Sequence, residues 1–140
     1  MYKDILLAID IDDKSSWSAS TPITVELAQK LGATLHVMVV IPTFRSSLVA
    51  NFFPDDYEKK TMEAAAAHLH AWTKANIPGG IRVQHVVGHG RVYEEILRAA
   101  DETKSDLIVL CARHTDADML GHNTDKVAHQ AKQSVLIVRQ

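Results

Sequence analysis

The closing stretch, residues 107–140, constrains the fold most. Leu107-Ile108-Val109-Leu110-Cys111 is an apolar run without a charge. A polar loop over residues 112–120 follows and ends at Gly121. Residues 122–132 have helical character, and the chain closes on Ser134-Val135-Leu136-Ile137-Val138-Arg139. Strand, loop, helix and strand in that order make one βαβ unit. Neither strand alternates apolar with polar residues, so both faces of each are expected to be buried. In an open parallel sheet, ligands bind outside the carboxyl ends of the strands. The loop after Cys111 is therefore the first place to look for chemistry.

The same alternation runs through the rest of the chain. Ile5-Leu6-Leu7-Ala8-Ile9 is a first buried strand ending at Asp10. Ser15, Ser16 or Ser18 can cap the helix that follows. That helix carries Ile23, Leu27, Ala28 and Leu31 at helical spacing, has Pro22 in its first turns, and stops at Gly32. Thr34-Leu35-His36-Val37-Met38-Val39-Val40-Ile41 is a second strand, ended by Pro42. Residues 43–53, with Phe44, Leu48, Val49, Phe52 and Phe53, are too apolar for a solvated turn and read as a lid, a core filler or an interface. Pro54-Asp55-Asp56 opens a long helix whose stripe is Tyr57, Thr61, Ala64, Ala65, His68, Leu69 and Trp72. Residues 81–87 alternate and read as a strand with one exposed face or edge. Gly88-His89-Gly90 is the next turn, and Val92, Ile96, Leu97 and Ala100 mark a third helix. Five strands alternating with four helices imply an α/β fold: an open parallel sheet with right-handed crossovers.

The 140 residues suit one domain spanning 1–140. With 46% apolar and 23% charged residues the composition is that of an ordinary globular protein. A net charge of −2 points away from a nucleic-acid partner and from a polybasic membrane patch. The single cysteine excludes an intrachain disulfide and fits a reducing compartment. The first apolar run is too short for a signal peptide, and no run is long enough to cross a membrane. A cytoplasmic location is the expectation.

Several features then resemble the universal stress protein family along the whole chain. They are residues 5–10 as the first strand, Val39-Val40-Ile41-Pro42, and Gly88-His89-Gly90 before Tyr93-Glu94-Glu95-Ile96-Leu97. Asp106-Leu107-Ile108-Val109-Leu110 and the closing strand are the most telling. The resemblance implies a Rossmann-like sheet ordered 3-2-1-4-5 with helices on both faces. It also implies a stress-response regulatory role and a homodimer through the last strand; other protein partners are left unidentified.

ATP-binding members of this family carry a glycine loop after the fourth strand: Gly, two residues, Gly, nine residues, Gly, then Ser or Thr. Glycines let backbone N–H groups approach phosphate oxygens, and the next helix adds the positive end of its dipole. Here Cys111 and His114 stand at the first two glycine positions. Only six residues separate His114 from Gly121, and His122 replaces the hydroxyl residue. Asp116 and Asp118 would repel a triphosphate. The adenosine side matches better. Asp10 falls where the family has an acid against ribose or base, and Val40 where a valine backbone lines the adenine pocket. The implied set for an adenine nucleotide is Ala8, Ile9, Asp10, Val40, Cys111, Arg113, His114, Gly121, His122 and Asn123, with weak or absent ATP binding.

Other readings stay open on the residues alone. Asp10 equally suits a cap for its loop, and Arg113 suits a phosphate contact or a solvated surface. His89, Cys111, His114 and His122 all fall at the carboxyl side of the sheet, a donor set that suits zinc. Asp116 or Asp118 could complete such a site, although Cys111-x-x-His114 is the one close ligand pair. A weak ATP hydrolase is the third alternative, and no recognisable base or nucleophile motif accompanies it. Trp17 and Trp72 read as core or interface residues.

Overall fold

The computed structural model describes residues 1–42, 57–112 and 121–140. Its strands are β1 (Asp4–Ala8), β2 (Thr34–Ile41), β3 (Val83–His89), β4 (Leu107–Ala112) and β5 (Ser134–Arg139). Its helices are α1 (Ser20–Leu31), α2 (Tyr57–Asn76), α3 (Val92–Glu102) and α4 (His122–Gln130). The strands form one sheet ordered β3-β2-β1-β4-β5, with every pair parallel. This is the expected order, and the direction of winding reverses at β1.

The charge-free runs behave as their composition demands. Ile5, Leu6, Leu7, Ile108 and Val109 are fully buried, which requires cover on both faces. On one face Ile5, Leu7, Val37 and Val109 pack with Ala28 of α1 and with Leu69 and Trp72 of α2. On the other, Leu6, Met38, Ile108 and Leu110 pack with Ile96, Ala99 and Ala100 of α3 and Val127 of α4. Each fully buried large side chain contributes roughly 1.5–3 kcal/mol relative to exposure. Trp17 meets Trp72 edge to face at 5.4 Å, so both tryptophans serve the core. The entry to β1 is pinned by Asp106, whose carboxylate accepts from the backbone N–H groups of Lys3 and Asp4.

Three local expectations need correction. The α1 stripe is rotated: Ile23 is 42% and Leu31 37% exposed, while Ser20, Thr21, Thr24 and Ala28 are buried. Small side chains let this helix lie close to β1 and β4, and the Thr24 hydroxyl is satisfied by donating to the Ser20 carbonyl at 2.7 Å. None of the three serines caps α1. Its N-cap is Ala19, after a 3-10 turn (Lys14–Ser16) capped by Asp13. β3 starts two residues later than read and runs through Gly88 to His89, because β2 offers Val40 and Ile41 as partners for them. Its mixed burial is that of the sheet edge it occupies. Gly32 does end α1, at φ 63.

Among the described residues no helix is long and apolar enough to cross a membrane. Residues 43–56 and 113–120 lie outside the described residues, and with them the aromatic segment, Arg113, His114, Asp116 and Asp118.

Candidate functional site

Where the winding reverses, the carboxyl ends of β1, β2 and β4 open into a cavity of about 610 Å³. Ala8 lines it from β1, Ile9 and Asp10 from the residues just beyond, Val40 from β2, Cys111 from β4, and Gly121, His122 and Asn123 from the start of α4. Every described member of the expected adenine-nucleotide set thus borders one space. Arg113 and His114 fall outside the described residues.

The floor is apolar, with Met38, Val39, Ile96 and Leu110. The rim is polar and built from β1 outward. The Ser16 hydroxyl accepts from the Asp10 N–H and donates to the Asp10 carbonyl, each at 2.9 Å, and Ser16 is buried. This holds the turn after β1 in one geometry. The Asp10 side chain accepts from the Asp12 N–H at 3.2 Å through one oxygen. Asp10 therefore organises its loop, and its exposed carboxylate also lines the cavity. A carboxylate has four lone-pair sites, so one such bond leaves capacity for ligand hydroxyls.

At the opposite wall, Gly121 has φ 90 and serves as N-cap of α4 without a side-chain cap bond. A Cβ at this position would meet nothing within 4 Å. The glycine is required by its backbone torsion, not by crowding. Gly121 gives the first-turn N–H groups of α4 no side-chain acceptor, and the start of this helix stands at the cavity. The His122 ring packs edge to face on Tyr93, 6.1 Å between centroids.

The zinc reading does not fit the described part of the chain. His89 points to α2, with Nδ1 3.1 Å from Glu58 Oε1. The Cys111 thiol donates to the Ser15 carbonyl at 3.4 Å, and His122 packs on Tyr93. No three His, Cys, Asp or Glu side chains converge as a metal site among the described residues. A shared side of the sheet brought His89, Cys111 and His122 near one rim, but these three turn to different neighbours.

A second cavity, about 490 Å³, adjoins the first. It is lined by Pro42, Gly90, Arg91, Val92, Tyr93, His122, Asn123 and Lys126. Sequence reasoning missed it, and it missed Ser16, Ala65, His68 and Thr124 in the first cavity. Ser16 was visible only as a capping candidate. His68 and Ala65 reach the site through the docking of α2, which no local pattern encodes.

The model of the universal stress protein family matches residues 1–139. The chain is 32% identical to the "Universal stress protein in QAH/OAS sulfhydrylase 3'region" of Thermus aquaticus, over 99% of this chain and 100% of that relative. In fold it is similar to a universal stress protein in complex with cAMP, with a TM-score of 0.68, 20% identity, and 99% and 97% of the two chains covered. It is also similar to the Archaeoglobus fulgidus universal stress protein in complex with dAMP, with a TM-score of 0.59, 18% identity and 98% of each chain covered.

Proposed function

This chain belongs to the universal stress protein family, and from that premise we propose that it is a stress-response binding module whose larger cavity takes the adenosine part of an adenine nucleotide. The observation that carries this reading is the convergence of Ala8, Ile9, Asp10, Val40 and the α4 start on one apolar-floored space at the reversal point of the sheet. The Asp10 carboxylate accepts from ribose hydroxyls. The Val40 backbone and the apolar floor take the adenine ring. Gly121, His122 and Asn123 offer N–H groups at the helix start. Two proteins of similar fold, one in complex with cAMP and one with dAMP, support the choice of ligand class.

Triphosphate binding through the loop after β4 is weak or absent. Cys111 at the end of β4 and His114 in the loop stand at glycine positions, and the loop is short and carries Asp116 and Asp118. Side chains at these positions obstruct the backbone approach, and the acids repel the ligand. Hydrolysis needs a firmly held terminal phosphate, so it is not part of this function.

Calorimetric titration tests the reading. Adenosine is expected to bind wild type, and Asp10→Ala to weaken it about tenfold through loss of the ribose bonds. Neither heat nor a thermal shift with adenosine would remove the nucleoside from the account.

A further inference from the structure

The two cavities have opposite electrostatic character. Arg91 and Lys126 line the smaller one, with no carboxylate among its described lining residues. The larger carries Asp10 and Asp12 and, among its described lining residues, no lysine or arginine. Pro42, Val92, His122 and Asn123 line both, so the two spaces are neighbours across these four residues. An anion attached to a ligand in the larger cavity is repelled by one end of the site and drawn to the other.

We propose that an adenine nucleotide held by its adenosine in the larger cavity turns its phosphate into the smaller one, where Arg91, Lys126 and the Tyr93 hydroxyl hold it in place of a glycine loop. This rests on the adenosine reading of the larger cavity. Arg91 supplies a planar fork suited to phosphate oxygens, and Lys126 supplies a point charge. At present Arg91 Nη1 lies 3.4 Å from Glu94 Oε1, which also accepts from the Tyr93 hydroxyl at 3.2 Å. Both side chains of that ion pair are about half exposed, so it is weak and a phosphate can displace it. α3 and α4 both begin at this cavity without side-chain caps, which leaves first-turn N–H groups to support the same anion.

Charge matching then sets the ligand class. Two cations balance the roughly two negative charges of a phosphate monoester. Further phosphates meet no additional cation among the described lining residues. The site is built for a nucleoside monophosphate, and the tail of ATP adds little.

The test is a set of calorimetric titrations with adenosine, AMP and ATP on wild type and on R91Q/K126Q. Arg91 is exposed and Lys126 half-buried, and thermal unfolding of the double variant verifies that it folds. In wild type AMP should bind about tenfold tighter than adenosine, and ATP within about threefold of AMP. In R91Q/K126Q the gain of AMP over adenosine should vanish while adenosine binds as before. An AMP affinity equal to that of adenosine in wild type overturns the proposal and leaves the adenosine reading standing. So does a gain that survives in the variant. If adenosine itself fails to bind, the adenosine reading falls and the phosphate site falls with it.

Discussion

His85 on β3 ties protonation to stability. Its Nε2 lies 2.8 Å from Thr73 Oγ1, and its ring lies tilted against His70 of α2, 3.9 Å between centroids. Partial burial, and then the neighbouring His70 charge, push its pKa below the ordinary value of 6.5. The unfolded chain therefore takes up this proton first as pH falls. Stability is intact above about pH 6.5 and is lost as the pH drops from there through the lower folded-state value. Calorimetric melting temperatures should fall between pH 7.5 and 5.5, and less steeply in His85→Gln. An unchanged slope in that variant would assign the pH dependence to other groups. At this scale the sequence was partly legible. Asp10 and Gly121 stand out because an acid ends an apolar run and a glycine opens a helix. His70 and His85 gave no such signal, since their contact depends on how α2 docks against an edge strand.

The elements around the site are set by what lies beneath the β3–α3 turn. Glu95 is 7% exposed. It pairs with Arg98 at 2.8 Å and accepts from the His89 N–H at 3.2 Å. The Gly90 N–H donates to the Ile41 carbonyl at 2.9 Å, which fastens the same turn to β2. Packing at Gly88 is close: a Cβ there would sit 2.9 Å from Met38 Cε and 3.1 Å from Glu95 Cβ, so both neighbours would have to shift. Arg91 and Gly90, which border the smaller cavity, depend on this arrangement. Glu95→Ala should lower stability by about 1–3 kcal/mol, the cost of unmaking a buried charged hydrogen bond. Denaturant titration measures it, and a change under a few tenths of a kcal/mol would show that the turn holds itself. The strands of this chain were legible because uncharged β-branched runs admit little else. α1 misled because its large apolar residues were assumed to face inward. Its contact instead requires close approach, which favours Ser20, Thr24 and Ala28.

For the whole molecule, the sheet order came from family resemblance, because apolar runs do not encode which strand lies beside which. Among the described residues β5 ends the sheet with one edge unpaired, a ready template for a second copy. Ile137 on this strand is half-buried. We propose the homodimer forms there, through the β5 edges of two chains. Ile137→Lys should convert a dimer to a monomer in sedimentation velocity, since an edge lysine opposes strand pairing. A wild-type monomer, or a dimer untouched by the substitution, would place any assembly elsewhere.

The account stands on the adenosine cavity at the ends of β1, β2 and β4. Amide chemical-shift mapping with adenosine probes it most directly. The predicted result is saturable shifts concentrated at Ile9, Asp10, Val40 and residues 121–123. Unmoved resonances there at saturating adenosine, or shifts confined to another part of the molecule, would contradict it.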